Sequence, residues 1–194
     1  MNVIVAITGA SGAIYARQVI ELLLASPEVE HIALIKSSHA ADVIAAEGVA
    51  LPRDGRIEEY HNDDMWSSVA SGSARWDAMI VVPASMGSVA RIASGVSRTL
   101  IERAADVMLK ERRRLVLVVR EAPYSLIHLR NMTSVTEAGA IVVPASPAFY
   151  FGAESIEELC LRLSERIAEF AGVNIEHPHW GDRFDPAANA TLRE

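Results

Sequence analysis

The chain has 194 residues, of which 51% are hydrophobic and 22% charged, so it can bury one core and shows no compositional sign of disorder. Acidic residues outnumber basic ones by 25 to 18, and the resulting charge of −7 disfavours binding to nucleic acid. The single cysteine, Cys160, excludes an internal disulfide, and no apolar run reaches the roughly 20 residues of a membrane helix. The first residues lack the basic region of a signal peptide. We therefore expect a single-domain, cytoplasmic protein with neither a nucleic-acid nor a membrane partner.

Short apolar runs rich in β-branched residues alternate with helical patterns along the chain. The predicted strands are 3–8, 31–35, 78–83, 115–120 and 140–144. The predicted helices are 13–25, 40–47, 88–94, 100–112, 126–137 and 155–171. Nearly continuous apolar strands are typical of a parallel sheet that helices cover on both faces. The pattern predicts a doubly wound, mostly parallel α/β fold, Rossmann or flavodoxin-like, in one domain over residues 1–181, followed by a polar tail at 182–194.

Two further features concern the predicted fold. Segment 48–76 has weak periodicity and several residues that break helices or strands, so we expect a long, partly irregular excursion there. In the last helix, apolar residues at helical spacing predict the buried face. These residues are Ile156, Leu159, Cys160, Leu163, Ile167 and Phe170. Because Cys160 belongs to this stripe, we interpret it as a small core residue rather than a nucleophile.

Glycine and serine residues follow the first three predicted strands. The first strand leads into Gly9-Ala10-Ser11-Gly12, a turn that could bring backbone N–H groups to an anion or could simply cap the next helix. The second strand is followed by Ser37 and lacks the acidic residue that a dinucleotide ribose requires. The third is followed by the turn at 85–88. Since the carboxyl ends of parallel strands meet at one sheet edge, the three turns together predict a mononucleotide site, with FMN a better fit than a dinucleotide.

Charged residues elsewhere leave their roles open on pattern alone. Arg120 and Glu121 end the fourth predicted strand, where they form either part of a site or a structural ion pair. Arg103 and Lys110 are seven residues apart and share one helix face, whereas Arg166 has the spacing of a solvated surface residue. The six histidines show no spacing typical of a metal site, so we predict no metal.

Taken together, these motifs resemble those of the UbiX-type flavin prenyltransferases over about residues 2–181. The matching segments are 9–15, 102–113, 115–123, 127–132, 147–150 and 180–181. The resemblance implies a homododecamer whose FMN-binding subunits transfer a dimethylallyl group from dimethylallyl phosphate to N5 and C6 of reduced FMN without a metal. It also implies that the prenylated flavin passes to a UbiD-type decarboxylase.

The resemblance also implies roles for individual residues. Flavin contacts would come from the three turns and one arginine, namely Gly9, Ala10, Ser11, Ser37, Ser85, Met86, Gly87, Ser88 and Arg120. The phosphate of the prenyl donor would be held, in a pocket completed by subunit contacts, by Arg103, Lys110, Tyr150 and Arg166. The catalytic group would be Glu121 near the departing phosphate, Glu47 near the reactive edge of the flavin, and Ser11.

The resemblance has local departures, and two other functions remain open. Met65 stands where some relatives have a pocket aromatic, with Trp66 one place away, and 151–154 replaces a polar, proline-containing link. One alternative is an FMN-dependent decarboxylase of peptidyl-cysteine or phosphopantothenoylcysteine, but this chain has no histidine between Asp64 and Asp77, where those enzymes place a catalytic one. The other is a non-catalytic flavin carrier, which would have no reason to hold Arg103, Lys110, Glu121 and Tyr150 together.

Overall fold

Six parallel strands form one sheet in a computed structural model that describes residues 1–177. The strands, in the spatial order β3-β2-β1-β4-β5-β6, are β1 (Asn2–Ile7), β2 (His31–Lys36), β3 (Ile57–Tyr60), β4 (Ala78–Ala84), β5 (Arg114–Val119) and β6 (Ile141–Pro144). The helices are α1 (Ala13–Ala25), α2 (Ala40–Ala46), α3 (Met86–Ala93), α4 (Leu100–Lys110), α5 (Leu126–Glu137) and α6 (Ile156–Phe170). This arrangement confirms the predicted doubly wound α/β fold in a single domain.

Hydrophobic cores cover both faces of the sheet. On β1, Ile4 and Ala6 point to the face covered by α3, α4 and α5, whereas Val3, Val5 and Ile7 point to the face covered by α1 and α6. Both sets are fully or almost fully buried. Because successive side chains of a strand alternate between faces, a strand buried on both sides must be apolar at every position. This requirement explains the continuous apolar runs of the sequence.

The structure corrects two predictions about the fold. The excursion predicted at 48–76 contains a strand that was not among the five predicted ones. This strand is β3, which pairs with β2 at the sheet edge. The excursion also contains a 3₁₀ turn at Ser68–Ala70. β3 has only four residues, and its two central glutamates are exposed, so it lacks the apolar run that identified the other strands. In α6, Cys160 and Ile167 are buried as predicted, but Ile156 is 76% exposed because it begins the helix beyond the core.

Other predictions fall outside the described residues or stay untested. The polar tail at 182–194, the boundary at 181 and the matching segment 180–181 lie beyond residue 177. Within residues 1–177, no helix is both long enough and apolar enough to cross a bilayer.

Candidate functional site

The strand order reverses between β1 and β4, and the two chain segments that leave these strands diverge to open a crevice. Thr8, which is almost fully buried, joins the two strand ends there. Its hydroxyl donates to the Pro83 carbonyl at 2.7 Å and accepts from the Ser85 N–H at 2.8 Å. This link sets the spacing between the turn after β1 and the turn after β4.

The turn between β1 and α1 binds a carboxylate of the chain itself. Gly12 adopts φ 115°, a left-handed conformation that favours glycine, and directs the first N–H groups of α1 toward Glu47 at the end of α2. The Gly12 N–H donates to Glu47 Oε1 at 2.9 Å, and the Ala13 N–H donates to Oε2 at 2.7 Å. The N–H groups that the sequence offered to a ligand anion therefore already hold Glu47.

The surroundings of Glu47 stabilise its charged form. Burial alone would raise the pKa of Glu47, but hydrogen bonds from the Ser11 hydroxyl and the N–H groups of Gly12 and Ala13 outweigh burial, and the positive charge of Arg120 adds to them. The net effect holds the pKa of this carboxyl below its ordinary value. Three residues of the predicted site, Ser11, Glu47 and Arg120, thus lie together beside the crevice.

A cavity of about 250 Å³ lies beside this turn and is rich in hydroxyl groups. Gly9, Ser37, Ser85 and Ser88, all predicted flavin contacts, line it. Ser85 caps α3, since its hydroxyl oxygen accepts from the Ser88 N–H at 3.4 Å. A Cβ atom at Gly9 would lie only 2.8 Å from His39 Cβ, so the glycine allows the turns after β1 and β2 to approach. These hydroxyls and the start of α3 are groups that suit a phosphate.

Three other predicted flavin contacts differ in what they can offer. Ala10 and Met86 are buried, and the Met86 side chain packs into the core beneath α3. Any contact that Met86 makes with a cofactor would come from its backbone. Gly87, by contrast, is exposed at the first turn of α3.

The sequence reasoning missed Arg91 and its partner Glu102 at the same cavity. Arg91 Nε donates to Glu102 Oε1 at 2.5 Å, and Arg91 Nη2 donates to the Ser88 hydroxyl at 3.3 Å. Glu102 also belongs to a capping box with Thr99 at the start of α4. The three-residue spacing of Ser88 and Arg91 and the Thr99-x-x-Glu102 pattern were both visible in the sequence. The sequence did not show that Arg91 on α3 and Glu102 on α4 form an ion pair.

Other predicted site residues follow β5 and β6 at the carboxyl edge of the sheet. Arg120 and Glu121 come directly after β5, and both are exposed. Tyr150 lies in the segment between β6 and α6, where its ring lies 4.4 Å from that of Phe151, measured between centroids. These positions place an acid, a cation and a phenol on the same edge as the crevice.

The three remaining predicted phosphate ligands do not meet within one chain. Arg103 and Lys110 belong to α4, on the opposite face of the sheet from α6, which carries Arg166. Each cation is paired on its own helix or beside it: Arg103 with Asp106 at 2.6 Å, Lys110 with Glu111, and Arg166 with Glu169 at 2.5 Å. Because α4 starts near the crevice and ends beside the start of β5, Lys110 also lies toward the opposite edge. Among residues 1–177, no group of three histidine, cysteine or acidic side chains is arranged to hold a metal ion.

Comparison with known proteins identifies the family and the fold of this chain. The model of the Flavoprotein family matches residues 1–167. The flavin prenyltransferase UbiX of Methanocaldococcus jannaschii is 40% identical over 188 residues, which cover 93% of this chain and 99% of the relative. The crystal structure of AnUbiX (PadA1) in complex with FMN and dimethylallyl pyrophosphate superposes with a TM-score of 0.84 at 43% identity, covering 92% of this chain and 97% of that one. A dodecameric, FMN-dependent UbiX-like decarboxylase from Escherichia coli O157:H7 gives a TM-score of 0.83 at 37% identity, covering 92% and 97%.

The doubly wound sheet, the crevice at its switch point and the match over residues 1–167 define this chain as a flavoprotein. The identities near 40% extend over almost the whole of both chains, well beyond a shared fold. The chain belongs to the UbiX-type flavin prenyltransferase family, as its sequence motifs indicated.

Proposed function

We propose that this protein transfers a dimethylallyl group from dimethylallyl phosphate to N5 and C6 of reduced FMN. The observation that carries the proposal is the similarity to AnUbiX, a structure solved with FMN and dimethylallyl pyrophosphate, over 92% of this chain. The crevice fits the cofactor, since it offers hydroxyls for a phosphate on one side and the Ser11–Glu47 pair on the other. When bound, reduced FMN supplies the nucleophilic ring atoms that accept the prenyl group.

The chain's own charges suit the departure of a phosphate. The bond between the allylic carbon and the phosphate oxygen breaks, and the phosphate leaves with the electron pair. Arg103, Lys110 and Arg166, with the Tyr150 hydroxyl, are the donors that would hold this anion. Glu121 follows β5 at the carboxyl edge, where we assign it the proton transfer that ring closure requires.

The positions of the cations support a site shared between subunits. One chain cannot bring α4 and α6 together, because the sheet separates them. A neighbouring copy could supply the missing cations, and the E. coli relative is described as dodecameric. We therefore propose a homododecamer, with the prenylated flavin released to a UbiD-type decarboxylase in the cytoplasm.

Mass spectrometry of the extracted flavin tests the reaction. Protein loaded with FMN, reduced without oxygen and supplied with dimethylallyl phosphate should yield a flavin heavier by one five-carbon prenyl unit. The same protein without the prenyl donor is the control. An unchanged flavin mass, with FMN bound and reduced, would contradict the proposal and would favour the flavin-carrier alternative.

A further inference from the structure

We propose that Arg91 holds the terminal phosphate of FMN and thereby makes the site selective for FMN over riboflavin, which lacks that phosphate. The inference rests on the proposed function for the identity of the flavin. It adds a binding residue that the family motifs did not point to, and it assigns the phosphate to the cavity at the start of α3.

The α1 end of the crevice is a poor place for a phosphate. The Gly12 and Ala13 N–H groups already donate to the charged Glu47 carboxylate. A phosphate placed there would face that negative charge at close range, which is unfavourable. The hydroxyl-lined cavity beside α3 also has a carboxylate in its lining, that of Glu102, but this one is paired with Arg91 and accepts from the backbone N–H groups of Arg98 and Thr99. A cation therefore accompanies the negative charge at this cavity, so the phosphate belongs there and the flavin ring extends toward Ser11 and Glu47.

Arg91 is oriented toward this cavity. Its Nη2 lies 3.3 Å from the hydroxyl of Ser88, which is itself buried and lines the cavity. A Cβ atom at Gly87 would lie 3.4 Å from Arg91 Nη1, so the glycine leaves room for the guanidinium over the first turn of α3. Of the described residues that line the cavity, Arg91 is the one that carries a permanent positive charge.

Glu102 fixes the guanidinium in this position. Its side chain is 3% exposed, against 49% for Arg91, so the arginine extends from a buried anchor into solvent. Glu102 Oε2 accepts from the N–H groups of Arg98 at 2.8 Å and Thr99 at 3.2 Å, while Oε1 binds Arg91 Nε. With Nε held, the two Nη groups remain at the cavity, and little rotamer freedom is lost when they bind an anion.

Flavin binding without any prenyl donor tests the inference. We compare the affinities of the wild-type protein and Arg91→Gln for oxidised FMN and for riboflavin by titration of flavin fluorescence. Loss of a charge-assisted contact to phosphate should weaken FMN binding by about tenfold or more and leave riboflavin binding within about twofold. Arg75→Gln, at an exposed position before the amino end of β4, is the matched control and should change neither affinity.

A second variant guards against misfolding, because Arg91→Gln leaves the buried Glu102 carboxylate without its cation. The double variant Arg91→Gln/Glu102→Gln removes both charges and should show the same loss of FMN selectivity. The inference would be overturned if both variants bound FMN and riboflavin more weakly by the same factor, or if their affinity for FMN were unchanged. The two experiments can fail separately. If Arg91→Gln loses selectivity for FMN but the wild-type protein forms no prenylated flavin, the role of Arg91 stands and the proposed function is wrong.

Discussion

Glu47 has two roles at the turn between β1 and α1. It caps the helix by accepting two backbone N–H groups, and it presents a charged carboxylate beside Ser11 and Arg120. A carboxylate at a helix N-terminus interacts favourably with the helix dipole. The same contacts that stabilise α1 therefore keep this carboxyl ionised beside the crevice.

The lowered pKa of Glu47 predicts a pH dependence of stability. A carboxyl whose pKa is lower in the folded state contributes its stabilisation above its unfolded pKa of about 4.3, and loses it as the pH falls through the folded value. Glu47→Gln should thus lower the free energy of unfolding by about 1 kcal/mol at pH 7, and the difference should shrink below pH 4. Urea unfolding of the wild-type protein and Glu47→Gln, at pH 7 and below pH 4, measures this difference in the free energy of unfolding.

The control for Glu47→Gln is Glu30→Gln, at an exposed position just before β2. It should change the free energy of unfolding by less than about 0.5 kcal/mol. A difference between wild type and Glu47→Gln that is the same at neutral and acidic pH would show that the carboxylate charge does not stabilise the turn.

At the scale of elements, the crevice depends on how β1 and β4 are joined. Thr8 supplies a hydroxyl that bridges the Pro83 carbonyl and the Ser85 N–H, which begins the turn into α3. An apolar side chain of the same shape would leave that N–H without this partner in a buried environment. The bridge therefore supports both the sheet and the geometry of the hydroxyl-lined cavity.

Thr8→Val should lower the free energy of unfolding by about 1–3 kcal/mol, because it leaves a buried donor unsatisfied with little change in volume. Thr133→Val on α5 is the matched control, since the Thr133 hydroxyl is exposed and donates to the Leu129 carbonyl of its own helix. The control should lose less than about 0.5 kcal/mol. Equal losses in urea unfolding would show that the Thr8 bridge does not stabilise the fold.

At the scale of the whole molecule, one chain leaves a large apolar surface uncovered. Trp66 is 98% exposed and Phe149 78%, and α5 exposes Leu126, Ile127 and Leu129. Exposed apolar surface of this kind is typical of protein–protein contacts. It supports the proposed assembly, as does the separation of Arg103 and Lys110 from Arg166 on opposite faces of the sheet.

Mixing two inactive variants tests whether subunits share a site. Lys110→Ala and Arg166→Ala should each abolish most prenyl transfer, since each removes a side chain proposed to donate hydrogen bonds to the leaving phosphate. If the two residues reach one site from different subunits, assemblies formed from an equal mixture should regain activity in about a quarter of their sites, because a heterologous contact combines the copies at random. Extracted prenylated flavin is the measurement. No recovery in mixed assemblies of confirmed composition would show that Lys110 and Arg166 do not complete one site from different subunits.

Much of the fold was predictable from local pattern. The bounds of α1 and α5 match the predictions at both ends, and the ends of the other predicted strands and helices lie within two residues of the observed ones. These elements carry strong periodic or continuous apolar signals, because their burial demands them. β3 carried no such signal: its four residues pair with β2 along the sheet edge, and backbone pairing leaves little trace in side-chain pattern.

For this protein, the sequence by itself determined the fold class, the serine and glycine turns at three strand ends, and the motifs of the family. All of these depend on residues close together in the chain. Only the tertiary structure decided that Glu47 binds the start of α1, that Arg91 meets Glu102 beside the cavity, and that α4 and α6 lie on opposite faces. Such contacts join residues far apart or on different elements, and packing, not local pattern, decides which of them meet.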